Sequence, residues 1–197
     1  PPLQETTEWV GLYEDVIASL SRRLYAASVT HMDAAIGELI ATLDRTGQRK
    51  NTIVIFFSDN GAIQSWGEQP KNYEGRFGPY PVLGDNGPLR GWIGELYDGC
   101  VRTPALVNWA GVLEPRVVDS VTSVLDWYPT MAALGRGAVD DAWNLEGRDI
   151  WPLLSGQGDV AETVLYWKYY NGQRAAVRSD KWKLIIDRRD NSNELFD

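Results

Sequence analysis

The chain has 197 residues, 44% hydrophobic and 23% charged, with 27 acidic against 19 basic side chains and a formal net charge of −8. These are the proportions of a globular protein able to bury a sizeable core, and an acidic balance without a basic cluster excludes nucleic acid as an expected partner. No apolar run approaches a membrane span, the first residues do not read as a signal peptide, and a single cysteine, Cys100, excludes an internal disulfide.

Residues 1 to about 18 combine two prolines with scattered polar residues and no sustained period, which predicts an irregular surface segment. From about Leu20 to Leu43 the pattern turns helical. Met32, Ile36, Leu39, Ile40 and Leu43 recur at three- and four-residue steps, Arg22, Arg23, Asp33, Glu38 and Asp44 take the other face, and Gly47 stands where a C-cap belongs. His31, the only histidine, falls within this helix as a packed or surface residue. With no second histidine or thiol beside it, no base–nucleophile pair is indicated.

Asn51 to Ala62 reads NTIVIFFSDNGA. Ile53–Phe57 is β-branched or aromatic throughout and too short for an ordinary helix, which predicts a strand buried on both faces, as in parallel sheets. Helix, short loop and strand together predict one αβ step of such a sheet. Ser58, Asp59, Asn60 and Gly61 follow at the strand's carboxyl end, where open α/β sheets place their ligands. A carboxylate beside an amide carbonyl offers the hard oxygens that Ca²⁺ or Mg²⁺ takes, and the same residues also serve as ordinary turn formers.

From Ile63 to about Trp92 the chain is rich in glycine and proline, a long loop of the kind that is often functional. It holds a second Asp-Asn-Gly, Asp85–Gly87, which without a preceding strand reads as an ordinary turn. A strand is predicted at Ala105–Trp109, with Arg102 before it able to meet an anion or a structural carboxylate. Asp126 is placed to cap a helix that tolerates Pro129 in its first turn and ends at Gly135. A short apolar turn follows at Ile150–Leu154. Thr163–Lys168, Arg174–Arg178 and Trp182–Asp187 then read as short strands of an antiparallel meander. The expected organisation is an α/β part over 1–156 and a small antiparallel part over 157–197, with no internal repeats. The chain starts without a methionine and stops at Asp197 with no closing element, so it reads as a fragment. Nine tryptophans and nine tyrosines allow contact with sugars, although aromatics also serve as core.

Four stretches, in order, resemble the C-terminal part of sulfatases, closest to the arylsulfatase B-like group. YAASVTHMDAAIGELIATLDRTGQRKNTIVIFFSDNGA (25–62) resembles the family's helix–strand–DNG unit, and PLRGWIGELYDGCVRTPALVNWAG (88–111) resembles its PLRG-x-K-G-x-x-Y-E-G-G-V-R-x-P block. SVLDWYPTMAALG (123–135) is similar to D-x-x-P-T-L-x-x-L-x-G, and AAVRSDKWKLI (175–185) to a strand pair of the C-terminal subdomain. PLQ at 2–4 is similar to the segment after a substrate-binding histidine in H-x-P-L-Q, a histidine that would stand just before Pro1.

The resemblance implies an alkaline phosphatase/sulfatase-like fold: a mixed sheet flanked by helices, with a small C-terminal antiparallel subdomain, here incomplete. It implies that Asp59 and Asn60 are two ligands of a Ca²⁺, with two further aspartates supplied by an N-terminal strand absent here. It implies a formylglycine nucleophile made from Cys or Ser in C/S-x-P-x-R, a motif these 197 residues do not contain. Cys100 begins Cys-Val-Arg-Thr-Pro and does not fit it. The family lysine that contacts sulfate aligns with Ile93, which neither donates nor carries charge, and Cys100 stands where a glycine is usual, raising crowding or an altered φ/ψ as expectations. The implied activity is Ca²⁺-assisted hydrolysis of a sulfate ester, on a carbohydrate or other sulfated small molecule, with no catalytic residue in this fragment. The alternative is a sulfatase-like protein that binds sulfated ligands without turnover. A phosphatase or phosphodiesterase of the same superfamily would need several metal-binding histidines. Many members are secreted, periplasmic or lysosomal, but nothing in these residues names a compartment.

Overall fold

The structure, a computed structural model, describes residues 4–66, 80–81, 83–169 and 171–197. It divides into two compact units, Pro1–Trp109 and Ala110–Asp197. The boundary expected after residue 156 falls inside the second unit.

In the first unit the helical period becomes helix α2, Leu20–Arg45. It ends as a Schellman motif: Gly47, at φ +71°, donates its N–H to Asp44 O (3.1 Å) and Gln48 to Leu43 O (2.9 Å). Of the predicted apolar face, Ile36, Ile40 and Leu43 are half-buried, while Met32 and Leu39 stay exposed at 44% and 67%. The stretch before it is not wholly irregular, since Thr7–Gly11 forms a short helix, α1. Thr6 in extended conformation precedes it and Glu8 in its first turn suits the dipole. What makes so short a helix persist is tertiary: Trp9 stacks on His31 of α2, with ring centroids 4.7 Å apart and planes at 15°.

Strand β1, Val54–Phe57, follows α2 as expected, but its environment differs from the sequence expectation. Among the described residues it pairs antiparallel with β4, Ala105–Asn108, in register from Val54↔Asn108 to Phe57↔Ala105. Among the described residues Val54, Ile55 and Phe56 are half-buried, Phe57 is 42% exposed, and the one strand paired with β1 is antiparallel to it rather than parallel as expected. An apolar run reports a liking for burial; the direction of the neighbour depends on where the chain returns. Between β1 and β4, β2 (Ser65–Trp66) and β3 (Tyr80–Pro81) pair antiparallel, and helix α3 is Asp98–Val101. Residues 67–79 and 82 of the predicted loop lie outside the described residues.

In the second unit, helix α4 is Trp127–Leu134 and α5 is Trp151–Ser155. Asp126 does not cap α4 with its side chain. A 3-10 turn at Val124–Asp126 comes first, so Asp126 is already helical and its carboxylate folds back, accepting from Ser123 N–H (2.8 Å) and Arg148 N–H (3.0 Å). The predicted meander forms as β5 Val164–Tyr169, β6 Arg174–Ser179 and β7 Trp182–Asp187. A further strand that the sequence pattern did not predict, β8 (Ser192–Phe196), pairs with β7. Ser-Asn-Glu-Leu-Phe shows no alternation, and the pairing with β7 supplies the order its pattern lacks. The sheet order is β5-β6-β7-β8, with Ala176 and Ile185 paired across its covered face at 5% and 3% exposure. Beside them Asp187 lies between Arg189, which hydrogen-bonds both its oxygens, and its cross-strand partner Arg174 at 3.1 Å. The Arg189 hydrogen bonds, aided by both guanidinium charges, lower the Asp187 pKa from 3.8 to about 2. Among the described residues no helix is long and apolar enough to cross a membrane.

Candidate functional site

The chain leaves β1 at Ser58, whose N–H donates to Pro104 O (3.2 Å), continuing the pairing with the β4 side by one bond. Its hydroxyl donates to Asn60 O (2.8 Å) and closes the turn. Asn60 spends its side-chain Nδ2 on Gly61 O (2.9 Å), which leaves Oδ1 without a protein partner among the described residues. The Asp59 carboxylate is exposed and makes no hydrogen bond or ion pair among those residues. Two hard oxygen donors thus stand free on adjacent residues at a strand's carboxyl end, a donor chemistry that fits Ca²⁺. Among the described residues no group of three or more His, Cys, Asp or Glu comes together that could hold a metal, so the pair fits as part of a larger ligand set.

The turn is seated on α3 by backbone contact. Gly61 is buried and donates to Cys100 O at 2.7 Å. A Cβ on Gly61 would lie 1.7 Å from the Gly99 carbonyl oxygen, and one on Gly99 would lie 2.3 Å from Gly91 O. Both positions therefore require glycine for close approach rather than for an unusual φ. Cys100, substituted where glycine is usual in the resembling block, lies in α3 at an ordinary negative φ, so the expected backbone strain is absent. It is buried and free, and its carbonyl, not its thiol, serves the turn.

The structure brings Ile93 to the same place. Its N–H donates to Ala62 O (3.1 Å), two residues after Asn60, and its side chain is 43% exposed. Ile93, which the resemblance aligns with a lysine, thus neighbours the Asp-Asn-Gly turn and carries an aliphatic side chain there. Arg90, in the same loop, lies over the Tyr97 ring at 4.0 Å. Arg102 is exposed, with no ion pair or side-chain hydrogen bond among the described residues.

His31 is not part of this constellation. Its ring stacks on Trp9, and Nδ1 lies 3.1 Å from both Glu5 carboxylate oxygens, clasping the N-terminal segment to α2. The Thr6 N–H bond to Glu5 (2.8 Å), with His31 as a smaller contributor, holds that carboxyl below its ordinary range. Sequence reasoning missed Asn86. The second Asp-Asn-Gly is a turn as expected, with Gly87 at φ +55° and its N–H on Asp85 Oδ1 (2.8 Å). The Asn86 side chain, however, accepts from Ala62 N–H (2.8 Å) and donates to Gly91 O (2.7 Å). The only available signal was the repeat of the tripeptide itself.

Three comparisons bear on this arrangement. A family model described as Sulfatase matches residues 2–138. Among curated proteins the chain is 37% identical to steryl-sulfatase of Mus musculus over 165 residues, 81% of this chain and 25% of that protein. It is 34% identical to arylsulfatase A of Homo sapiens over 163 residues, 81% of this chain and 29% of that protein. Among solved structures, Ps i-CgsB in complex with k-i-k-neocarrahexaose matches with a TM-score of 0.78 and 25% identity, covering 100% of this chain and 40% of that one. The chain therefore spans between 25% and 29% of the length of these two curated relatives.

Proposed function

Because the chain belongs to the sulfatase family, we propose that the full-length protein hydrolyses a sulfate ester and that this chain contributes Asp59 and Asn60 to its calcium site. The observation that carries the reading is the pair of oxygen donors at the end of β1, without a partner among the described residues, on a turn held by Gly61 against α3. Bound there, Ca²⁺ would polarise a sulfate oxygen and stabilise charge on the nucleophile. Calcium takes about six to eight oxygens, so the remaining ligands are required from residues beyond these. Asp59 would supply the charge and Asn60 a neutral carbonyl, while the Ser58 and Gly61 bonds hold the backbone of the turn. The formylglycine nucleophile of the family needs C/S-x-P-x-R, which these 197 residues lack, and Cys100 is buried. The isolated chain is accordingly expected to be inactive.

Sulfated carbohydrate is the substrate class we favour. It is supported by the likeness to a protein whose complex holds an oligosaccharide. A second reading, binding without turnover, rests on Ile93, whose aliphatic side chain stands at the sulfate-lysine position beside the turn.

The test is release of inorganic sulfate by the full-length protein from a sulfated oligosaccharide, an aryl sulfate and a steryl sulfate. Turnover that falls about 10²–10³-fold in Asp59→Ala supports the enzyme, by analogy with removal of one charge-stabilising group. Oligosaccharide binding with no release, and release gained in Ile93→Lys, supports the binding reading. Neither binding nor release would refute both.

A further inference from the structure

We propose that Asn86 is a positioning residue of the candidate metal site, its amide clamping Ala62, and with it the Asp59–Asn60 turn, to the loop that carries Ile93. The inference rests on the calcium reading above and adds to it a residue outside the ligand pair.

Ala62 is where three segments meet. Its carbonyl accepts from Ile93 N–H at 3.1 Å and its N–H donates to Asn86 Oδ1 at 2.8 Å. The other end of the same amide donates to Gly91 O at 2.7 Å. Gly84 packs so closely that a Cβ there would lie 2.4 Å from the Ala62 Cβ. Asn86 itself is held by its turn, through the Gly87 N–H bond to Asp85 Oδ1 (2.8 Å) and the Leu89 N–H bond to Asn86 O (3.1 Å).

The chemistry asks for asparagine. The site needs one acceptor for Ala62 N–H and one donor for Gly91 C=O at the end of a short side chain. Aspartate keeps the acceptor, loses the donor and sets a carboxylate against a carbonyl. Alanine leaves both backbone groups without this partner. Metal ligands bind well only when their supports hold them within a fraction of an ångström, and loss of an outer support costs about 10–100-fold in metal affinity. β1 fixes the turn on one side and α3 beneath it; Asn86 fixes its exit toward Ile93.

The experiment is a calcium titration of the full-length protein and of Asp59→Ala, Asn86→Ala and Asn86→Asp, with amide exchange at Ala62 read in calcium-free protein. Ile185→Ala, in the second unit, serves as a control for lost stability alone. Asn86→Ala is expected to weaken calcium about tenfold or more and to speed exchange at Ala62. Ile185→Ala should lower thermal stability and leave calcium affinity unchanged. Should Asn86→Ala not fold, Asn86→Asp carries the test: Ala62 stays slow to exchange while calcium affinity drops. Its added negative charge would by itself tighten calcium, so a drop reports lost position. Wild-type binding lost in Asp59→Ala but unchanged in both Asn86 variants overturns this inference alone. No calcium binding by the wild type, or equal binding by Asp59→Ala, overturns the calcium reading and this inference with it.

Discussion

Gly61→Ala probes the contact on which the candidate site is seated. The added Cβ would stand 1.7 Å from the Gly99 carbonyl oxygen, 2.7 Å from its carbon and 2.9 Å from the Cys100 Cα. All three are backbone atoms, so no side-chain rotation relieves the clash and the turn must lift from α3. Lifting also breaks the 2.7 Å bond from Gly61 N–H to Cys100 O. Overpacking costs about 1–3 kcal/mol and the lost bond about 1 kcal/mol, together about 2–4 kcal/mol. At about 2–4 °C per kcal/mol for a chain of this size, the Tm should fall by about 4–16 °C. Gly37→Ala is the matched control, because Gly37 lies exposed within α2 with nothing within 4 Å of its would-be Cβ. There the better helix propensity of alanine should raise stability by about 0.5–1 kcal/mol. Thermal unfolding followed by circular dichroism reads both. A Gly61→Ala protein melting within about 1 °C of wild type would refute the contact.

Asp59→Ala separates stability from binding: with no side-chain bond to lose among the described residues, its calcium-free Tm should match wild type, and added calcium should no longer raise it. A large calcium-free loss would mean that Asp59 is structural. Asp187 supplies a pH test. A carboxylate lowered from 3.8 to about 2 adds stability above the unfolded value and loses it as pH falls through the folded one. Arg189→Gln should therefore lower stability at neutral pH and flatten its decline across that window, read by tryptophan fluorescence; identical acid transitions would count against the pair. His31→Ala should shift Trp9 emission to the red and speed amide exchange in α1, because the ring that covers Trp9 is gone; unchanged spectra and exchange would dissolve the clasp. Cys100, buried in α3, should react with thiol reagents only on opening of that helix, so fast labelling of native protein would contradict its burial.

The features legible in the residues were the local ones. α2 follows from its three- and four-residue period, Gly47 from the need for φ > 0 at a helix end, and Asp59 and Asn60 from a turn placed after an apolar run. The antiparallel β5–β7 meander was legible too, because Asn171-Gly172 and Asp180 mark its reversals, with φ of +52°, +81° and +50°. In each case the determining interaction spans a few residues, so the pattern and its cause lie in the same window.

What pattern could not reach was set by partners distant in the chain. β1 is apolar in any sheet, and its antiparallel neighbour depends on the route by which Ala105–Asn108 returns. β8 is polar and without period, and becomes a strand because β7 offers an open edge. Asp126 looked like a cap until Arg148 N–H, 22 residues on, took its carboxylate. Asn86 read as one more turn former, and its amide found Ala62, 24 residues back, and Gly91, five ahead. Residue chemistry supplies the oxygen donors of Asp59 and Asn60, whereas the backbone contacts of Gly61, Gly99 and Ala62 decide where those donors stand, because hydrogen bonds and close packing act on distance in space and not on separation along the chain.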